Sequence, residues 1–239
     1  TNLEDVERLM DGEQADICFT SPPYGVGESA SLRNKYIPKS KTPKSFYNQH
    51  EDKAEHWGEL MSKWFPIAQQ YTEAQIINVQ MLAANKRALL QWWNHNADSF
   101  VDVVIWDKER GAPQMVKNIL TNVFEFLFIF GKRTTRSIPY ADFHGNVSNI
   151  FRSTVGKNEF ADIHKAVFPP ELPIWVIGTL ARKSKTVFDP FLGTGTTIIA
   201  AEKLGRKCFG IEIDPKYCDV IVKRWEEYTG EKAEVLVHE

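Results

Sequence analysis

No apolar run in these 239 residues approaches the length of a membrane span, and the chain does not open on a signal-peptide pattern, so no membrane role is expected. Cysteine is scarce. Cys18, Cys208 and Cys218 form no CxxC pair, which excludes a disulfide framework and a thiol-rich zinc site. Cys18 and Cys208 fall inside apolar, strand-like runs and read as buried thiols of a reducing cytosol. The six histidines are scattered without ligand spacing, so no metal centre is expected either. Charge of one sign is missing too: a net charge of −2 gives no bulk attraction for a polyanion, and any nucleic-acid contact must come from local clusters. What remains, 43% hydrophobic and 25% charged residues, is the composition of one folded domain with a sizeable core.

The most informative stretch runs from Val187 to Asp214, VFDPFLGTGTTIIAAEKLGRKCFGIEID. Thr186-Val187-Phe188 reads as a buried strand, and Asp189 to Thr197 as a tight turn rich in glycine and hydroxyl. A helix is predicted over Thr196 to Leu204, closed by Gly205, and a second strand over Cys208 to Ile211 ends at Glu212. Such a βαβ unit brings a ligand to the backbone at a helix N-terminus, with a carboxylate placed to accept from ribose hydroxyls. Two phosphate-binding variants are disfavoured. Ile198 stands where a dinucleotide fingerprint needs a third glycine, and no lysine precedes a hydroxyl residue as in a P-loop. A nucleoside without phosphates is the better guest. The alternative is an ordinary crossover whose glycines only make the turn.

Far upstream, the predicted strand Ala15 to Thr20 runs into Ser21-Pro22-Pro23-Tyr24-Gly25. Two prolines fix φ and remove two donors, so the loop cannot extend a ladder. It offers rigid carbonyls, a hydroxyl and an aromatic ring at the carboxyl end of a strand, where open α/β sheets place ligands. A rigid proline turn with Tyr24 as a surface cover is the alternative.

Taken together, Ser21-Pro22-Pro23-Tyr24, DPFLGTGTT and GIEIDP resemble the motifs of the DNA amino-methyltransferases, in the order of that family's beta arrangement. Trp106-Asp107-Lys108, the NVFEFLFIFGK segment and the FPPELP segment are similar to further parts of it, so the resemblance covers most of the chain. It implies a Rossmann-like, S-adenosylmethionine-dependent α/β fold: a mostly parallel twisted sheet with an antiparallel strand near one edge and helices on both faces. By the same resemblance Phe168, Pro169, Asp189, Pro190, Phe191, Gly193, Thr194, Gly195, Thr196, Thr197, Glu212 and Ile213 line the cofactor site, with Glu212 on the ribose. Ser21, Pro22, Pro23 and Tyr24 hold the target base. The chemistry suits those residue types. A base's exocyclic amine is a poor nucleophile, because its lone pair is delocalised into the ring. The Pro22 carbonyl and the Ser21 side chain can hold its hydrogens, and Tyr24 supplies a π-face for a base flipped out of the duplex. Methyl transfer is then direct displacement by positioning, without a catalytic cysteine. By the resemblance, serine at position 21 is the form common among the family's cytosine-N4 enzymes and favours cytosine N4 over adenine N6, where aspartate is commoner. RNA, a protein amide, or a non-catalytic nucleic-acid-binding module remain as alternatives.

The remaining segments are assigned around these motifs. Residues 1–130 form a catalytic half, 131–161 a short target-recognition region and 162–239 a cofactor-binding half. Residues 29–50 contain Arg33, Lys35, Lys39, Lys41 and Lys44 interleaved with aromatics, and no acid after Glu28 before Glu51. They read as a mobile lid whose cations meet DNA phosphates, or as a solvated loop. Lys132, Arg133 and Arg136 join the expected DNA contacts, although 131–161 also reads as an irregular surface connection. Trp57, Leu60, Met61, Trp64 and Phe65 share a helical face and read as core. Glu125 lies in an apolar strand with no partner legible from sequence. A last strand is predicted over Val235 to Val237. The expected partners are double-stranded DNA and a second copy in a homodimer, in a bacterial, archaeal or phage-encoded restriction-modification setting in the cytoplasm. The family also carries a short strand ending in Gly-Asp before its first helix. The sequence starts beyond that point, and weakened cofactor binding is the expectation that goes with it.

Overall fold

Apolar runs of four to eight residues between glycine, proline and asparagine punctuation condense into the strands of one sheet. The computed structural model describes residues 2–24, 56–111, 117–132, 135–154 and 168–236. Helix α1 (Leu3–Met10) is capped by the Asn2 side chain, which accepts from the Asp5 amide at 2.8 Å. Then follow β1 (Ala15–Thr20), α2 (Trp57–Tyr71), β2 (Thr72–Val79), α3 (Lys86–His95), β3 (Phe100–Asp107) and β4 (Phe124–Gly131). After them come β5 (Ile150–Arg152), the short α4 (Glu171–Trp175) continued by a π-helical turn over Val176–Leu180, and β6 (Thr186–Asp189). The chain closes with α5 (Thr196–Lys203), β7 (Lys207–Gly210) and α6 (Pro215–Thr229).

Among the described residues the seven strands lie in the order β5-β3-β4-β2-β1-β6-β7. Strand β4 is antiparallel to β2 and β3, and every other pairing is parallel. The expected fold is thus present, its reversed strand lying third from the β5 edge. The reversal has a consequence. Phe124 and Glu125, the first residues of β4, arrive at the edge where the parallel strands end.

Side chains alternate across each strand and fill two cores, one on each face. Cys18, Ile77, Val79, Phe128, Phe130 and Phe188 point to one face and meet Trp57, Met61, Trp64 and Phe65 of α2 together with Trp92 of α3. Ile17, Phe19, Ile76, Leu127, Ile129 and Val187 point to the other and meet Val176, Ile177, Ala200 and Ala201. The aromatic face of α2 is therefore core, as its spacing predicts. Trp64 and Phe65 are each 1% exposed, and fully burying a side chain of that size contributes on the order of 2–3 kcal/mol.

Helix α4 is α-helical for little more than one turn before it widens into the π turn. One predicted element departs from the sequence reading. The predicted final strand does not form: Val235 and Leu236 are 88% and 76% exposed and pair with no strand among the described residues, and residue 237 lies outside them. A short apolar run does not make a strand where it pairs with no sheet edge.

Candidate active site

Both sequence motifs converge on the edge where the parallel strands end. Thr20, the last residue of β1, donates its hydroxyl to Asp189 Oδ1 at the end of β6, at 2.6 Å, and the Phe191 amide donates to the same oxygen at 3.0 Å. One carboxylate therefore ties the Ser21–Tyr24 loop to the glycine loop, across 169 residues of sequence. Asp189 is 1% exposed. Burial pushes its carboxyl up to about 6, and the hydrogen bonds offset only part of that cost.

The glycine loop takes its shape from two left-handed residues, Gly193 at φ 55° and Gly195 at φ 77°. At Gly195 a Cβ would stand 2.9 Å from Cγ1 of Ile221 in α6, so both the backbone and the packing require glycine there. Arg224, also from α6, donates to the Thr194 carbonyl, to Thr194 Oγ1 at 3.2 Å and to Thr196 Oγ1 at 3.4 Å. The sequence reading missed this clamp. Thr196 and Thr197 are buried at the start of α5, and Pro190 is buried too. Phe191 packs edge-on against Trp64, with ring centroids 5.2 Å apart.

Beyond β7, Glu212 Oε2 accepts from the Gly193 amide at 2.8 Å, and Oε1 accepts from the Ile213 and Asp214 amides at 2.9 Å each. Burial raises its pKa, and these amides offset part of the rise. Three donors leave the carboxylate room to accept one more, which suits a ribose hydroxyl. Ile213 beside it is 72% exposed. Phe168 sits at the start of the α4 segment with its ring 5.7 Å from that of Phe19, and Pro169 is buried next to it.

The tetrapeptide is held on every side. Tyr24 gives its carbonyl to Asn85 Nδ2 at 3.0 Å, and its hydroxyl lies 2.8 Å from Glu125 Oε2, 3.1 Å from Asn78 Oδ1 and 2.9 Å from Ser21 Oγ. Glu125, partnerless on paper, thus meets Tyr24 through one oxygen and Lys108 through the other, at 2.8 Å. Pro22 is buried, while Ser21 and Pro23 are half-buried.

The expected DNA contacts divide differently. Arg33, Lys35, Lys39, Lys41, Lys44 and Arg133 lie outside the described residues. Lys132 follows Gly131, which pairs with Ala74 near the start of β2, and Arg136 pairs with Asp102 near the start of β3 at 2.6 Å. Both sit at the edge opposite the tetrapeptide, seven residues of strand from Glu125 or about 23 Å at 3.3 Å per residue. Tyr140 stays on that side, its carbonyl accepting from the Lys183 amide, but by Asn149, which accepts from the Ile105 amide, the chain has reached the carboxyl end of β3. The described part of the expected recognition region therefore spans both edges: Lys132 and Arg136 lie away from the tetrapeptide, whereas β5 ends beside β3, where Arg152 meets Asp107 at 3.3 Å, at the edge that carries Glu125. Sequence order could not reveal this, because β4 runs the other way.

Residues 15–223 match the DNA methylase family. The chain belongs to that family. Among curated relatives it is 32% identical over 142 residues to the type II methyltransferase M.Cfr9I of Citrobacter freundii, covering 56% of this chain and 45% of the relative. It is 24% identical over 273 residues to M.MthZI of Methanothermobacter thermautotrophicus, covering 95% and 75%. The chain spans about half the length of several relatives it matches, such as 45% of M.XycI of Xanthomonas campestris pv. cyanopsidis. Solved structures of similar fold include an M1.HpyAVI–SAM complex, with a TM-score of 0.60, 19% identity and coverage of 93% of this chain and 94% of that one. Another is the PvuII DNA methyltransferase (cytosine-N4-specific), with a TM-score of 0.66, 15% identity and coverage of 91% and 83%.

Proposed function

We propose that this chain moves a methyl group from S-adenosylmethionine to the exocyclic amine of a base flipped out of double-stranded DNA, cytosine N4 in preference to adenine N6. The observation that carries the reading is the 2.6 Å bond from Thr20 to Asp189, which sets the base-holding loop and the nucleoside-holding loop side by side. Family membership and a structural neighbour named as cytosine-N4-specific support it.

The glycine loop from Asp189 to Thr197, with Glu212, Ile213, Phe168 and Pro169, would hold the cofactor. Its fit rests on the spare acceptor capacity of Glu212 and on the left-handed glycine turn whose Gly193 amide meets that carboxylate. When bound, S-adenosylmethionine supplies an electrophilic methyl group on a positively charged sulfur. The protein's own task is placement. Tyr24 offers a ring face for stacking, while the Pro22 carbonyl and Ser21 hold the amine hydrogens so that the nitrogen lone pair faces the methyl carbon. Its DNA-facing cations are expected from residues 29–50, which follow the tetrapeptide in sequence, and a homodimer is part of the same expectation.

Incubation with S-adenosylmethionine and unmethylated genomic DNA, digestion to nucleosides and mass spectrometry tests the proposal. N4-methylcytosine supports it in full. N6-methyladenine keeps the transfer and overturns the base preference. No methylated nucleoside, with cofactor still bound, overturns the DNA reading in favour of RNA, a protein amide or a binding module.

A further inference from the structure

Among the described residues the hydroxyl of Tyr24 meets Ser21, Asn78 and Glu125 within hydrogen-bond distance, and a phenol has one proton. Two of those neighbours, Glu125 Oε2 at 2.8 Å and Asn78 Oδ1 at 3.1 Å, are acceptors. Asn78 Nδ2 donates to the Phe126 carbonyl at 3.3 Å, which turns its oxygen towards Tyr24. Glu125 is the stronger acceptor. Its other oxygen meets Lys108 Nζ at 2.8 Å, and both side chains of that pair are about nine-tenths buried, at 11% and 9% exposed. Joined to that ammonium, Glu125 serves Tyr24 as a charge-assisted acceptor. The Tyr24 proton therefore points inwards, away from Ser21. The 2.9 Å contact between Ser21 Oγ and Tyr24 Oη then has one polarity: Ser21 donates and Tyr24 accepts.

We propose that Lys108 and Glu125, acting through Tyr24, orient the Ser21 hydroxyl so that it presents only lone pairs to the base pocket. Ser21 is thereby an obligate acceptor, and the site takes a group bearing N–H at that point. The exocyclic amines of cytosine and adenine satisfy it. The exocyclic carbonyls of thymine and guanine would set oxygen against oxygen and leave both without a proton, a penalty that binding sites use to reject close analogues. Lys108 and Glu125 are positioning residues in this scheme, since neither touches the base. The inference rests on the base-transfer reading above and deepens it, because it assigns the selection of amine over carbonyl to a network beneath the loop.

The test compares wild type, Y24F, E125Q, the double variant Y24F/E125Q, and S21D/E125Q with unmethylated genomic DNA and tritiated S-adenosylmethionine. Cofactor affinity is measured alongside by calorimetry. Y24F keeps the ring, and E125Q keeps the shape while losing the fixed acceptor. Each is expected to lower kcat on the order of tenfold or more, with cofactor affinity and the KM for DNA essentially unchanged. The double variant should be no slower than the worse single one, because either change already breaks the chain of hydroxyls. S21D/E125Q should recover activity relative to E125Q, because a carboxylate at position 21 accepts without help from beneath, and the E125Q change removes the like charge nearby. Full activity in Y24F and E125Q overturns the inference. So does a loss of cofactor binding that parallels the loss of rate, or a failure of S21D to restore E125Q. A wild type that transfers no methyl group to DNA overturns the base-transfer reading and this inference together, whereas an active wild type with unaffected variants overturns this inference alone.

Discussion

Replacing Asp189 by asparagine should change how stability depends on pH, and the size of the effect follows from where Asp189 lies. The side chain is buried between the ends of β1 and β6, and burial pushes its carboxyl from 3.8 up to about 6. A folded-state value above the unfolded one means that the folded protein binds the proton more tightly. The stabilising contribution is therefore complete below about pH 4 and is lost as pH rises through 6. A gap of about two units at 1.36 kcal/mol per unit amounts to about 3 kcal/mol. Urea unfolding of wild type and D189N across pH 4 to 7.5, without cofactor, would isolate it, because the other carboxyls cancel in the difference. Over that range D189N should gain most of those 3 kcal/mol relative to wild type. Glu212 supplies a control: its charge helps to raise Asp189, so E212Q should move the wild-type transition to lower pH. A D189N difference that stays flat across the range would refute the claim that Asp189 carries a buried, reluctant charge where the two loops meet.

Two further outcomes are expected. Gly195→Ala combines left-handed backbone with a Cβ 2.9 Å from Ile221, and should cost about 2–5 kcal/mol from strain and overpacking together. Thermal unfolding would show this, and an unchanged melting temperature would mean that the loop yields freely. For DNA, removing Lys39, Lys41 and Lys44 should lower affinity and flatten the salt dependence by about 0.9 in log–log slope per lost phosphate contact. Lys132→Ala and Arg136→Ala, at the opposite edge, should leave that slope unchanged. Equal effects from the two sets would contradict the expectation that cations at the edge opposite the tetrapeptide stay clear of the DNA.

Much of this protein is written locally. The βαβ unit from Thr186 to Gly210 was legible because its punctuation acts on the chain's own torsions: Gly195 and Gly205 take positive φ where their neighbours would be strained. The start of α6 was legible for a similar reason, since Asp214 caps it by accepting from the Lys216 amide at 3.0 Å, just ahead of Pro215. Pro22 and Pro23 announce a rigid loop whatever surrounds them. The α2 aromatic stripe could be placed in the core because helical periodicity records which face is apolar.

Tertiary structure alone decided who meets whom. Glu125 had no partner in the sequence because its two partners, Lys108 and Tyr24, lie 17 and 101 positions away and come within reach only when β4 reverses direction. The same reversal carries Lys132 and Arg136 to the far edge, although they follow the catalytic half directly in the chain. Arg224 reads as one more polar residue on a helix until α6 lays it against Thr194. Periodicity fixes the face of an element, whereas strand order and direction fix its neighbours, and those depend on how all the apolar faces are buried at once. The sequence by itself therefore determined the two loops and their chemical character. The folded sheet determined that Thr20 and Asp189 would join them, and that Lys108 and Glu125 would stand beneath Tyr24.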